Sequence, residues 1–374
     1  MKCWSATGWS SRALLLGSVL GTILLAGCGG DEDGKGDAAA TDAVVDGTDD
    51  DAADSGAADA GSDGKTEGTL KWIAFAPPVD GKMTDGAALG AAGEGYLLTA
   101  EDGGLVRLLP TGPQVITVPG VGTTDLRAVY VDATGEAWIA GDASILVQGK
   151  GSEWQVRAEI PPSPVTRFRA IDGDGDVVWA VGDDARAYRK AGDAVFAAED
   201  VTVTDGEAIG SGGNFVSVQV VGDAVWIAVD KGATSAGLAL EKTAAGWKSY
   251  PLDTAPRALW RGADGATWVV GGTVEPYVAR LQAGAFVKMD GLQWSLGFTA
   301  VDGTGADDVV LGALKGQIRS WDGKAFAVVL PKAPPGTVNP FAQPSGDIAA
   351  FARAAVDDWL VVTPFYVYRY AVQP

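Results

Sequence analysis

The sequence predicts an all-β, seven-bladed β-propeller, and three observations predict it. The first is a recurring phrase. Gly-Glu-Ala-Trp-Ile-Ala-Gly at Gly135–Gly141 returns as Asp-Val-Val-Trp-Ala-Val-Gly at Asp176–Gly182, as Asp-Ala-Val-Trp-Ile-Ala-Val at Asp223–Val229 and as Gly-Ala-Thr-Trp-Val-Val-Gly at Gly265–Gly271. The second is its spacing. With degenerate copies around Tyr96, Val309 and Trp359, the anchors recur every roughly 41 to 50 residues, the period of a propeller blade. The third is the texture of the chain from Leu70 onward: short alternating runs of Val, Ala and Trp bounded by Gly, Asp and Pro, with no helical period.

Each repeat divides into four strands, lettered A to D from the axis outward. Around Trp138 these are Arg127–Val131, Glu136–Ala140, Ile145–Gln148 and Trp154–Arg157. The order recurs at Arg169–Ile171, Val177–Val181, Ala187–Lys190 and Val195–Ala198. It recurs again at Ala258–Trp260, Thr267–Val270, Val278–Leu281 and Phe286–Met289. The last repeat has A near Ala349–Arg353, B at Asp358–Val362 and C at Tyr366–Tyr370, and the chain stops without a D strand. Leu70–Phe75 precedes the first A strand, and its Trp72 matches Trp154 and Trp247 of other D strands. This N-terminal strand is therefore expected to complete the last blade and close the ring, leaving only short blade edges. The Trp anchors occupy one structural position and read as packing between blades. Gly141, Gly182, Gly271 and Gly312 read as serving the B–C turns; they form no phosphate loop, because no helix follows them.

Upstream, Lys2 and Arg12 make a basic start, and Ala13–Ala26 is an apolar run of about 14 residues, too short to span a membrane and suited to a signal segment. Asp31–Glu67 is dominated by Asp, Ala and Gly, with only Lys35 and Lys65 basic. Such a segment cannot bury enough surface to offset its ordering entropy and is expected to form an extended, disordered tether. The expected organisation is residues 1–27 as signal peptide, 28–68 as linker and 69–374 as propeller.

Composition narrows the chemistry. The chain has no His, which removes Ser-His-Asp and Cys-His catalysis and His metal sites. Its two cysteines are Cys3 and Cys28; Cys3 would leave with the signal, so no intrachain disulfide and no common zinc site is expected. The net charge of −20 repels phosphate backbones, so nucleic acid is not an expected partner. Asp172-Gly-Asp-Gly-Asp176 resembles the start of a calcium loop, but Val177 stands where such a loop needs Gly, and turn chemistry accounts for the Asp and Gly. No cofactor and no metal are expected, and the chain is expected to act as a monomer.

Leu25-Ala26-Gly27-Cys28 resembles the bacterial lipobox. That resemblance implies cleavage before Cys28, acylation of Cys28, and a place in the cell envelope, on the outer membrane. The region from Leu70 to Pro374, with its degenerate Trp-x-Val-Gly blades, resembles bacterial seven-bladed propellers of the sensor and assembly-factor type. It lacks the Asp-box of sialidases and the blade signatures of quinone enzymes, so those activities are not implied. Propellers host binding modules and enzymes alike.

Strand order places D–A and B–C loops on one face. The long loops Asp200–Asn214, Lys332–Asp347, Lys231–Leu238 and Gly272–Tyr277 are expected there, and Asn214, Tyr277 and Phe341 on them are candidate ligand contacts. Arg127, Arg169 and Arg257 begin inner strands near the channel mouth, where they would hold a carboxylate or phosphate or else pair with acids such as Asp125 or Asp253. The leading reading is a non-catalytic binding or scaffold lipoprotein meeting an envelope protein or glycan. The alternative is an enzyme acting on polysaccharide, a hydrolase or lyase, which needs paired carboxylates at the mouth; Glu207 and Glu275 lie on suitable loops. A purely structural surface protein is the third.

Overall fold

The computed structural model describes residues 69–75, 78–90, 95–157, 167–232, 236–273, 275–292, 296–329, 346–355 and 358–373. The signal segment, Cys28, the linker 28–68 and Phe341 lie outside them. Residues 64–374 form one compact unit.

Seven sheets follow one another along the chain, each an antiparallel meander running from the axis outward. Blade 1 is Met83–Ala88, Tyr96–Ala100, Leu105–Leu109 and Gly112–Val115. Blade 2 is Leu126–Val131, Ala137–Gly141, Leu146–Lys150 and Glu153–Val156. The inner strands of blades 3 to 6 are Phe168–Asp174, Asn214–Val221, Pro256–Arg261 and Phe298–Gly305. Blade 7 runs inside to outside as Ala350–Ala355, Asp358–Val362, Val367–Gln373 and Thr69–Phe75. The N-terminal strand thus completes the last blade, with Trp72 opposite Tyr370.

Blades meet face to face through apolar clusters, and the anchors sit in them. Trp138 packs against Phe168 and Val178 of blade 3, Trp179 against Phe215 and Ile227 of blade 4, Trp226 against Leu259 and Val269 of blade 5, and Trp268 against Phe298 and Leu311 of blade 6. Each indole also meets an aromatic ring from the outer strands of the next blade: Phe196 at 5.5 Å, Trp247 at 5.9 Å, Phe286 at 6.2 Å and Trp321 at 5.8 Å, in that order. The edge-on geometries are those a ring quadrupole favours.

The three degenerate anchors fall one residue away from where the phrase suggests. Trp138, Trp179, Trp226 and Trp268 stand opposite Tyr130, Asp172, Gln219 and Trp260. The same station holds Leu97 opposite Ala87, Val310 opposite Asp302 and Leu360 opposite Ala352. Tyr96, Val309 and Trp359 point the other way, toward the preceding blade. A one-residue slip reverses every side chain of a strand. Because second strands are covered on both faces, both residue sets are apolar, and alternation alone does not distinguish them.

Two further expectations are corrected. Gly141 and Gly182 do not supply turn geometry: both are extended, and left-handed backbone falls instead at Ala143 (φ 54°) and Asp184 (φ 57°). Their requirement is space, since a Cβ at Gly141 would lie 2.2 Å from the Asp125 carbonyl oxygen and one at Gly182 2.0 Å from that of Arg167. Gly271 repeats this against Ala255, whereas Gly312 is one station earlier and abuts Ile348 of blade 7. Asp200–Asn214 is not an open loop. Val203–Asp205 forms a fifth strand on blade 4, parallel to Gly246–Leu252. The Trp247 indole N–H donates to the Asp200 carbonyl at 3.2 Å, and Val201, Val203 and Ile209 pack on the core beneath.

Candidate functional site

The inner strands of blades 1 to 6 share a local irregularity. Each carries a bulge near its start, between Met83 and Asp85, Leu126 and Ala128, Phe168 and Ala170, Phe215 and Ser217, Pro256 and Ala258, and Phe298 and Ala300. A bulge re-aims the extra side chain. The six extra residues are Thr84, Arg127, Arg169, Val216, Arg257 and Thr299, and all six line one cavity of about 710 Å³ at the mouth of the channel. Glu101, Asp230, Thr254 and Thr273, from D–A and B–C connections, also line it.

The three predicted arginines therefore share one cavity, in different electrostatic states. Arg127 is neutralised: it bonds Asp142 through two nitrogens at 3.0 Å each and Asp125 at 2.6 Å, with Glu101 at 4.0 Å. These carboxylates push its pKa further up, and Arg127 helps hold Asp142 below the ordinary carboxylate range. Arg169 meets a single acid, Asp183, through its Nε. Arg257 is exposed and donates to the Gly272 carbonyl at 3.2 Å; among the described residues no carboxylate lies within 4.0 Å of it. Pairing with Asp125 thus describes Arg127 and not Arg257.

The remaining candidates lie elsewhere. Tyr277 is buried at 4 % exposure in the core between blades 4 and 5, and its hydroxyl bonds the Asp253 backbone. Asn214 accepts the Asp184 N–H at 3.2 Å, tying a blade 3 turn to blade 4, and does not line the cavity. Glu207 is held by Lys231 and Glu275 is exposed; neither lines the mouth. Among the described residues no group of three or more acidic or Cys side chains is placed to hold a metal. Asp172 and Asp174 accept the N–H groups of Val220 and Gly222, at 2.7 and 2.6 Å, and so fasten blade 3 to blade 4.

Below the mouth the channel holds about 530 Å³ and three carboxylates: Asp85 and Asp302, which sequence reasoning missed, and Asp172, which it assigned to a turn and which lies on the inner strand instead. Asp85 accepts the Val129 N–H at 3.0 Å, and Asp302 accepts that of Gly303 at 2.7 Å. Loss of water pushes all three up to about 7, against the pull of those hydrogen bonds and, for Asp302, of the Arg353 charge. A signal for two of them existed. Ala170-Ile-Asp-Gly173 and Ala300-Val-Asp-Gly303 are one repeated phrase at one inner-strand station.

No family model matches the chain, and no curated protein matches it. Solved structures do. YCF48 bound to D1 peptide is 14 % identical over 81 % of this chain and 97 % of its own, with a TM-score of 0.62. A catalytically inactive His-to-Ala virginiamycin B lyase from Staphylococcus aureus with quinupristin is 13 % identical over 82 % of this chain and 100 % of its own, with a TM-score of 0.63. The WD40 β-propeller domain of Doa1 is 13 % identical over 82 % and 98 %, with a TM-score of 0.60. At these identities the likeness is one of fold, and it agrees with the seven-bladed ring.

Proposed function

We propose that the protein is a non-catalytic binding and scaffold propeller, displayed in the cell envelope on an acylated Cys28, with the mouth face as its ligand surface. One observation carries the reading: six inner-strand bulges in six different blades aim their extra side chains into a single cavity. Irregularities repeated around a ring and converging on its axis are what a binding site on a rigid scaffold requires. The strand Thr69–Phe75 leads toward Lys82 and Met83 at the mouth, so Thr69 lies at the opposite face. The solved propellers named above with a bound peptide and a bound quinupristin support a binding role for such a face.

The enzymatic alternative has less support. Glu207 and Glu275 stand away from the cavity, two of the raised channel carboxylates are engaged in holding blade to blade, and the lyase variant named inactive has lost a His, a residue this chain lacks altogether.

Photo-crosslinking in the native envelope tests the reading. A crosslinker at Thr273, on the mouth face, should give a discrete adduct, and one at Lys324, on a C–D turn of the other face, should give none. Equal labelling from both positions, or none from Thr273, overturns the assignment of the face. Cys28→Ser should move the protein from the membrane to the soluble fraction; retention in the membrane overturns the anchor.

A further inference from the structure

The mouth has a chemistry that narrows its ligand. Its lining is largely polar: cationic Lys82, Arg169 and Arg257, the hydroxyl-bearing Thr84, Thr254 and Thr273, and the carboxylates Asp230 and Glu101, the latter 4.0 Å from Arg127. Among the described residues no aromatic side chain lines the cavity, and the largest apolar one, Met83, is already buried at 2 % exposure, so the cavity offers no open apolar socket for a peptide anchor. Three backbone donors of the inner strands, below the mouth, are already occupied. Asp85 takes the Val129 N–H, Asp172 takes that of Val220, and the Ser217 hydroxyl takes that of Leu259 at 3.2 Å.

Arg257 and Lys82 have no carboxylate within 4.0 Å among the described residues, and Arg169 engages its one acid through Nε alone. An unneutralised guanidinium presents a fork matched to a carboxylate. The net charge of −20 repels dense polyanions at long range, which favours a short ligand carrying few charges. Beside the cavity, Phe365 and Tyr366 are exposed at 47 % and 40 %. Their turn is fixed: the Thr363 hydroxyl donates to the Tyr366 carbonyl at 2.8 Å and accepts its N–H at 3.1 Å, while Met83 N–H holds the Pro364 carbonyl at 3.0 Å. Pro364 lines the cavity, and the two exposed rings follow it directly in the chain, Tyr366 tilted against Tyr368 at 6.2 Å.

We propose that the mouth binds a uronate-bearing saccharide. Its carboxylate is held by Arg257 with Lys82 and Arg169, its hydroxyls meet the threonines, and a sugar face lies against Phe365 or Tyr366. This rests on the mouth being the binding face, and it names the class of ligand.

Calorimetric titration of the full chain with trigalacturonate tests it, alongside the methyl ester of that trisaccharide and a short poly-glutamate peptide. The free acid should bind, and the ester should bind about tenfold more weakly or worse, the loss of one charge-assisted contact. Arg257→Ala should weaken the acid by about the same factor and leave the ester unchanged, with thermal melting confirming that the variant folds. Equal affinity for acid and ester, no binding of the acid, or an acid affinity untouched by Arg257→Ala overturns the proposal. Poly-glutamate binding more tightly than the acid assigns the mouth to an acidic peptide and likewise overturns it. A crosslinked adduct at Thr273 that persists when trigalacturonate fails to bind leaves the binding face standing and removes only the saccharide.

Discussion

Blades 2 to 5 and the group of blades 7, 1 and 6 solve one packing problem in two ways. Between blades 2 and 6 each contact is filled by an indole and an aromatic partner from the next blade, as in Trp226 with Phe286. The seam where the ring closes has no such indole. Its station in blade 7 holds Leu360, and the contact with blade 1 is completed by a polar group instead. The Tyr96 hydroxyl donates to Asp358 at 2.8 Å, and Arg369 donates to both oxygens of the same carboxylate at 2.9 Å each. Asp358 is nearly buried, so its charge is stabilised by those donors and not by water. The difference teaches that the recurring Trp is one means of joining blades, and that the closing joint depends on directional bonds between residues 262 positions apart in the chain.

The harshest way to break the comparison is to remove the closing strand. A chain beginning at Thr69 should melt as the full chain does, because it keeps every described strand of the ring. A chain beginning at Pro78 loses Thr69–Phe75 and leaves Val367–Gln373 as an unpaired edge. It is expected to lose cooperative unfolding and to aggregate, which calorimetry and size-exclusion chromatography would show. A cooperative melt for the chain starting at Pro78 would mean that closure does not depend on this strand.

Next in size are the joints themselves. Trp226→Ala should cost about 3–5 kcal/mol in denaturant unfolding, and Val310→Ala, at the same station in blade 6, about 1.5–3 kcal/mol. Equal costs would show that the station, and not the indole, sets the strength of the joint. Asp358→Ala at the seam strands the Arg369 guanidinium and the Tyr96 hydroxyl, and should cost about 3 kcal/mol. Tyr96→Phe removes a single donor and should cost about 1 kcal/mol. An Asp358→Ala cost no larger than that of Tyr96→Phe would reduce the network to ordinary surface pairing.

The same contrast explains how much of the molecule could be read from its residues. Where an indole marks the interblade face, strand order, register and facing were all legible, and so was the borrowed strand at Leu70–Phe75. In blades 1, 6 and 7 the second strands read Tyr-Leu-Leu-Thr-Ala, Asp-Val-Val-Leu-Gly-Ala and Asp-Trp-Leu-Val-Val. Apolar residues on both faces left no marker of which set faces forward, and a local Tyr or Trp was a misleading one. The arginines were legible as starts of inner strands, but their convergence depends on bulges, which follow from backbone pairing and leave no trace in residue type. Val203–Asp205 was invisible for a similar reason: three residues in a polar stretch become a strand only because the outer edge of blade 4 lies beside them.

The smallest expected effect sharpens the comparison between the channel and the seam. Asp358 accepts hydrogen bonds from the Arg369 guanidinium and the Tyr96 hydroxyl, while Asp85, Asp172 and Asp302 are pushed up to about 7 from an ordinary value of 3.8. Between those two values the folded chain holds more protons than the unfolded chain, so stability falls as pH rises through this range. The protein should therefore be more stable near pH 5 than near pH 8, by about 1 kcal/mol per carboxylate, far less than the full shift because the channel is open to water. Asp302→Asn should raise the urea midpoint at pH 8 and leave it nearly unchanged at pH 5. Asp302 is the appropriate choice because its hydrogen bond, from the Gly303 N–H, is to its own neighbour; the amide removes the charge, and with it the attraction of Arg353 in blade 7, without breaking a hydrogen bond between blades. A midpoint that rises from pH 5 to pH 8, or that Asp302→Asn lowers at pH 8, would show that the channel carboxylates are as well stabilised in their ionised form as the one at the seam.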